Sequence, residues 1–233
     1  MGMNFQLGIT QEFPCSYLPD KQERLLVATD PRLHDKEHYS WLMSQGFRRS
    51  GDQIYRPHCL HCNACQSLRV LAMQFKPSKS QKRIIKKNQS FNIVVSKELK
   101  NSYYALYERY ISQVHADGAM YPPSPEQYEN FLKTDTFEQI FIEIYDDAEL
   151  ISVAVTDVLE HALSAVYTFY HPDYRKKSLG MFSILSQIEI TKQIGKDYLY
   201  LGYQIDSCQK MNYKDQFYPH EILYENSWQL RNK

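Results

Sequence analysis

The chain has 233 residues, with 27 Lys+Arg against 27 Asp+Glu, 43% hydrophobic and 23% charged residues. That is the composition of an ordinary globular protein and excludes a disordered or collagen-like chain. No run approaches 18 consecutive apolar residues, and the first ten residues, MGMNFQLGIT, lack the basic start and apolar stretch of a secretory signal, so a cytoplasmic protein without a membrane span is expected.

In chain order, KEHYSWLMSQG (36–46) predicts a short helix closed by Gly46, and SLRVLAM (67–73) alternates like a strand. Residues 76–87 read as a helix after Pro77, FNIVV (91–95) as a strand, and 98–115 as an amphipathic helix with a stripe from Tyr104 to Val114. Ser124-Pro125 opens a further helix. Three strand-like runs (137–146, 149–159, 162–170) form a meander, followed by a loop, HPDYRKKSLG (171–180), a helix ending at Gly195, and a strand at 197–203. A meander that leads into a helix and a parallel-compatible strand is the core layout of the GNAT acyltransferases. The expected fold is therefore α+β: a smaller cysteine-containing domain over 1–96, then a GNAT-like domain over 97–233.

Zero net charge hides a segregation. Between Gln53 and Lys97 there is no acidic residue and there are nine basic ones, leaving 18 basic against 27 acidic residues elsewhere. Lys79, Lys82, Arg83, Lys86 and Lys87 fall three or four apart on one side of the predicted helix, without the interleaved Glu that an isolated surface helix uses, which points to phosphate contacts. The loop carrying Arg175, Lys176 and Lys177 joins a strand to a helix, where backbone N–H groups hold anions. Its frame, Arg175-x-x-Ser178-x-Gly180, lacks one of the glycines of a coenzyme A loop and suits the acceptor end of a nucleic acid better.

Cys59, Cys62 and Cys65 form C-x-x-C-x-x-C, and five cysteines in all suit reduced thiols rather than a disulfide framework. With Cys15 as a fourth thiolate they could clamp a metal, or they could be a reduced structural cluster; His58 and His61 are rival ligands. Cys208 stands alone and reads as a packed small side chain.

Several ordered blocks carry a resemblance: FPCSYLPD (13–20), GFRRSGDQIYRPHCLHCNAC (46–65), FKPSKSQKR (75–83), VYTFYHPDYRKKSLGMFSI (166–184) and YLYLGYQIDSCQKMNYKDQFYP (198–219). Together they resemble the aminoacyl-tRNA protein transferases, and within them the bacterial aspartate/glutamate leucyltransferases, over nearly the whole chain. The resemblance implies transfer of leucine from leucyl-tRNA to the amino terminus of a protein beginning with Asp or Glu, which marks it for N-degron proteolysis. It implies tRNA and an acidic protein terminus as partners and no cofactor for transfer itself, while raising zinc or an iron–sulfur cluster for the cysteines. Ser16 stands where the family word would have proline.

The chemistry asks little of acid–base groups. The donor ester is activated, and an α-amino group with a pKa of about 7.7–8.0 is partly neutral at pH 7, so alignment supplies much of the rate and no Ser-His-Asp set is expected. The acceptor carboxylate needs a cation, best an arginine; Arg48, Arg49, Arg56 and Arg69 are the candidates, with Arg56 or Arg69 preferred. Tyr167, Phe169 and Tyr170 beside the loop, and Tyr200 and Tyr203 on the next strand, could stack on the terminal adenine or frame the aminoacyl group, together with Ser178 and Gly180. Alternation puts Tyr167 and Phe169 on one face and Tyr170 on the other. A coenzyme A-dependent N-acetyltransferase and a noncatalytic zinc-ribbon RNA-binding module are the competing classes.

Overall fold

A computed structural model describes residues 4–118 and 120–232. The first part of the chain contributes strands β1 (Leu7–Ile9), β2 (Phe13–Pro14), β3 (Gln22–Glu23) and β4 (Leu25–Ala28), helix α1 (Lys36–Ser44), and strands β5 (Arg48–Ser50), β6 (Gln53–Pro57) and β7 (Gln66–Leu71). Helix α2 (Lys79–Lys87), strand β8 (Asn92–Ser96) and helices α3 (Tyr103–Val114) and α4 (Pro125–Leu132) follow. The rest is β9 (Gln139–Asp146), β10 (Glu149–Val158), β11 (Ala162–Tyr170), α5 (Leu179–Gln193), β12 (Tyr198–Gln204), β13 (His220–Tyr224) and β14 (Ser227–Arg231). The helices begin where the sequence supplies caps. Ser78 and Gln81 form a reciprocal capping box on α2, and Asp35 and Ser124 cap α1 and α4. Helix α3 starts at Tyr103 rather than at 98.

The fold is mixed α and β. One sheet of eight strands runs β14-β13-β7-β12-β11-β10-β9-β8, and a small antiparallel sheet runs β1-β4-β6-β5. The boundary expected near residue 96 falls at the end of β8, and the large sheet draws strands from both sides of it: β7 pairs antiparallel with both β12 and β13. Alternation along β9 and β10 serves two layers. Ile140, Ile142 and Ala154 meet Ile184, Leu185 and Ile188 of α5, while Phe141, Val153 and Val155 meet Tyr103, Tyr107 and Ile111 of α3. Helix α1 packs with the small sheet against Leu159, Ala162 and Tyr200.

Two features of this sheet position everything else. Among the described residues the only parallel pair, β11 with β12, holds for three residues, Ala162↔Tyr198, Leu163↔Leu199 and Ser164↔Tyr200. Beyond it β11 continues on β10 and β12 continues on β7, each with a bulge at the parting, at Val166 and at Leu201. The strands therefore splay into a gap.

The second feature is a buried ion pair. Arg49 donates from Nε and Nη2 to Asp157 Oδ2 and Oδ1 at 2.7 and 2.6 Å, and Tyr39 donates to the same carboxylate at 2.7 Å. Both charged side chains are sealed, at 1% and 0% exposure. Breaking such a pair leaves a charge without compensation. Asp157→Ala should lower the unfolding free energy in urea by about 3–5 kcal/mol, and Arg49→Met with Asp157→Leu together should recover most of that loss.

Candidate active site and nucleic-acid interface

Arg48 fills the gap between the parted strands. Neighbours along β5 point to opposite sides, so Arg49 enters the core while Arg48 reaches across to donate from Nη2 to the Ala165 carbonyl at 2.8 Å and, at the long limit, to that of Val166 at 3.5 Å. These are the first two carbonyls of β11 past the end of the parallel pairing. The other wall is Gly202 of β12, at φ +79°, where a Cβ would lie 1.4 Å from Arg48 Nη1. The guanidinium thus rests on bare backbone, and any side chain at 202 would evict it.

The other three candidate arginines are placed differently. Arg49 is committed to Asp157 and has no free face, which removes it from the acceptor-binding candidates. Arg69 donates to Glu221 at 2.6 Å and lies between the rings of Tyr198 and Trp228, 3.9 and 4.1 Å from their centroids, so its charge is already paired. Arg56 donates to the Gln45 carbonyl at 2.9 Å and lies over Phe47. It faces the cysteine cavity, not the gap.

Aromatic side chains gather where β11 runs past α3. Tyr170 lies 4.8 Å from Tyr110 of α3 and Tyr167 5.1 Å from Phe131 of α4, centroid to centroid. Alternation holds through the strand end: Phe169 pairs with Val153 on the α3 side, whereas Tyr170 pairs with Ser152, which bonds Ser183 of α5, and packs beside Leu179 and Phe182 while its ring still reaches Tyr110. Burial, and then the neighbouring tyrosines, push the Tyr110 hydroxyl well above its ordinary range, so it stays protonated and able to donate. Tyr200 and Tyr203 lie elsewhere. Tyr200 is core beside Trp228 and bonded to Arg69 at 3.2 Å, and Tyr203 donates to the Gly46 carbonyl at 3.1 Å. The bulge at Leu201 turns both toward the α1 side, which corrects their expected place by the aminoacyl group.

The loop after β11 is a tight turn, Pro172–Lys177, that ends on Ser178 in the left-handed conformation (φ 56°, ψ 46°). Ser178 makes no side-chain cap on α5, and the first turn of that helix carries no acid. Its amino end is open to an anion. Gly180 sits beside Tyr170, with room for an ordinary side-chain contact.

Lys79, Lys82, Arg83, Lys86 and Lys87 are not buried, and none has an acidic partner among the described residues. The carboxyl end of α2 is clasped to the turn of Arg175, Lys176 and Lys177: Asn88 donates to the Lys177 carbonyl at 2.9 Å and Lys87 to that of Lys176. Lys177 in turn lies over Phe91, 5.0 Å from its centroid. Two basic segments distant in sequence form one face at the end of β11.

Cys15, Cys59, Cys62 and Cys65 line one cavity of about 330 Å3 with Arg56 and Tyr203. All are free thiols, and among the described residues no three His, Cys, Asp or Glu side chains are grouped as a metal ligand set. As placed, the thiols do not fit a metal centre. Burial, and then the neighbouring cysteines, push the Cys65 thiol up to about 12.

Sequence reasoning misses Tyr110, which reads there only as part of a helix stripe, and Lys214, which lies in a polar run with no local pattern.

A strand gap with an arginine inside it, an open helix end and an extended basic face define a group transferase that works on a nucleic-acid-borne substrate. Family models fit this class: arginine-tRNA-protein transferase, N terminus, matches residues 13–83, and its C terminus matches residues 102–224. The chain belongs to the arginine-tRNA-protein transferase family. It is 54% identical to the aspartate/glutamate leucyltransferase of Pseudoalteromonas atlantica over 98% of both chains, and 51% identical to that of Aeromonas hydrophila over 96% of this chain and 94% of the relative. Among solved structures, FemX is similar at TM-score 0.48 and 8% identity, over 90% of this chain and 82% of that one.

Because only the thiolate reacts with alkylating agents, iodoacetamide at about pH 8 should modify Cys65 last among the five cysteines, as read by peptide mass mapping over time.

Proposed function

We propose that the chain transfers leucine from leucyl-tRNA to the α-amino group of proteins whose first residue is Asp or Glu, giving a product whose new amino-terminal leucine marks it for degradation in the cytoplasm. The reading rests on one observation above all: the basic helix α2 and the basic turn 175–177 are joined into a single face that ends at the mouth of the β11–β12 gap. The relatives at 51% and 54% identity, named for leucine and for Asp/Glu, favour leucine as donor over arginine. No helix of the described residues is long and apolar enough to cross a membrane.

In this reading the meander β9-β10-β11, then α5, then β12 beside β11 is a GNAT-type acyltransferase core over 97–233. Residues 1–96 add the basic helix, the cysteine cavity and the arginine in the gap, sharing the sheet through β7 and β8. Lys79, Lys82, Arg83, Lys86 and Lys87 track tRNA phosphates, with Arg175, Lys176 and Lys177 closer to the acceptor end. The open end of α5 at Ser178–Gly180 takes a terminal phosphate, and Tyr167, Tyr170 and Tyr110 offer rings to the terminal adenine or the leucyl group. Arg48 takes the acceptor's side-chain carboxylate, being the candidate arginine that lies in the gap and has only carbonyl partners.

With both substrates seated, the neutral α-amine attacks the ester carbonyl. A C–N bond forms, the C–O bond to the terminal ribose breaks, one proton of the amine passes to the leaving ribose oxygen, and the other stays on the nitrogen of the new peptide bond. Alignment in a dry gap supplies the acceleration. No step runs through the cysteines, and whether they take up zinc or an iron–sulfur cluster is read directly by elemental analysis of the purified protein.

Labelled leucine should pass from leucyl-tRNA to peptides beginning with Asp or Glu, and ribonuclease should abolish transfer; arginine as the better donor would overturn the donor assignment. Charge reversal at Lys82, Arg83 and Lys86 should weaken tRNA binding and flatten the log Kd against log [salt] plot by roughly 0.7–0.9 for each phosphate left without a cation. An unchanged slope removes α2 from the interface.

A further inference from the structure

Lys214 lies on the short turn Asn212–Gln216 after β12 and is only 5% exposed. Its Nζ donates to the Tyr203 carbonyl, with Met211 Sδ at 3.4 Å. The turn is tied down on several sides. Phe217 is in the core, and Gln81 of α2 donates to the Gln216 carbonyl at 3.1 Å. Arg48 meanwhile rests on Gly202. The heads of two cations thus sit on consecutive residues of β12, and among the described residues neither has an acidic partner.

Buried cations are normally paired, because desolvation is costly and like charges repel. Elsewhere this protein follows that rule, with Arg49 on Asp157 and Arg69 on Glu221. Lys214, buried, and Arg48 beside it, half-buried, have only carbonyl and thioether partners, on an enzyme whose relatives are named for acidic acceptors. A missing anion is the simplest resolution.

We propose that Lys214 is the second half of a carboxylate clamp, gripping with Arg48 the side chain of the acceptor's amino-terminal Asp or Glu. The proposal rests on the reading of Arg48 given above and adds a specificity residue to it. Burial, and then Arg48, hold the free enzyme's Lys214 down at about 7, with Cys208 and Cys65 the groups that oppose the shift. An arriving carboxylate reverses this balance and recharges the lysine, which takes one proton from solvent above about pH 7. An Asn or Gln terminus brings no charge, cannot recharge Lys214 and leaves Arg48 without an acid, so the clamp discriminates against amides by what it leaves unpaired as well as by what it binds.

The test compares kcat/KM for peptides differing only in Asp or Asn at the first position, each divided by the neutral fraction of that peptide's own α-amine, since the Asp carboxylate raises the pKa of the amine beside it. In the wild type the Asp:Asn ratio should fall as pH rises above about 7. Lys214→Met should lower the ratio at about pH 6.5 by about 10- to 100-fold, the scale of a charge-assisted hydrogen bond, and make it independent of pH. Lys214→Arg should restore much of the ratio without the pH dependence. Calorimetry of wild-type protein with the Asp peptide at about pH 8, in buffers of different ionisation enthalpy, should show net proton uptake beyond that seen with the Asn peptide, and this arm requires no variant to fold. An unchanged ratio in Lys214→Met, equal loss of Asp and Asn transfer in that variant, or equal proton uptake with both peptides overturns the clamp. A lowered ratio in Arg48→Met beside an unchanged one in Lys214→Met would leave the Arg48 reading standing alone, whereas an unchanged ratio in Arg48→Met would remove that reading too.

Discussion

The sealed pair between Arg49 and Asp157 fixes β5, and through β5 it fixes the geometry of the gap. A guanidinium bonded twice to a carboxylate that Tyr39 also holds cannot slide without exposing a buried charge, so the register of β5 against the sheet is held firmly. Strand alternation does the rest. Once Arg49 points into the core, Arg48 must point the other way, into the opening between β11 and β12. The cost of one buried charge pair is offset by the placement of a second arginine that has no acid to neutralise it.

The parted strands then separate two kinds of cation. On the side of β11, α2 and the turn after the strand present accessible, unpaired cations suited to a flexible polyanion, where screening and counterion release dominate. On the side of β12, cations are few and held by backbone carbonyls, Lys214 buried and Arg48 half-buried, which suits a single carboxylate in a defined place. Aromatic rings from α3 and β11 cluster beside the end of β11 without adding charge. Both strands bulge at the level where they separate, at Val166 and Leu201, so the opening is built into the backbone and does not depend on a bound ligand to hold it apart.

Much of this arrangement is legible in the sequence, and what is not has physical causes. The meander, α5 and β12 are long and strongly periodic, and the capped helices announce their starts, so their order from 137 to 204 reads correctly. The basic segments 79–87 and 175–177 stand out by composition, though only the fold shows that Asn88 and Lys87 join them. Strands β1 to β6 have two to five residues each, too short for alternation to show, and β13 and β14 are equally short. Among the arginines, Arg48 and Arg49 are indistinguishable as neighbours in a word such as GFRRS; tertiary structure alone sends one to Asp157 and the other to the gap. Arg56 and Arg69 look more available in sequence because their partners, the Gln45 carbonyl and Glu221, lie on the backbone or far along the chain. Tyr200 and Tyr203 are displaced by a bulge no local pattern signals.

The position of β7 also has a consequence for how the molecule comes into being. Its sequence is finished when less than a third of the chain has been made, yet the two strands that flank it belong to the last part to be made. During synthesis it waits with both edges bare, and closing the sheet around it joins ends separated by a very long loop, the situation that slows folding and exposes strands to the wrong partners. β7 therefore stays without its partners in the large sheet until β12 and β13 have been made, and the opening that Arg48 occupies cannot form before β12 is in place.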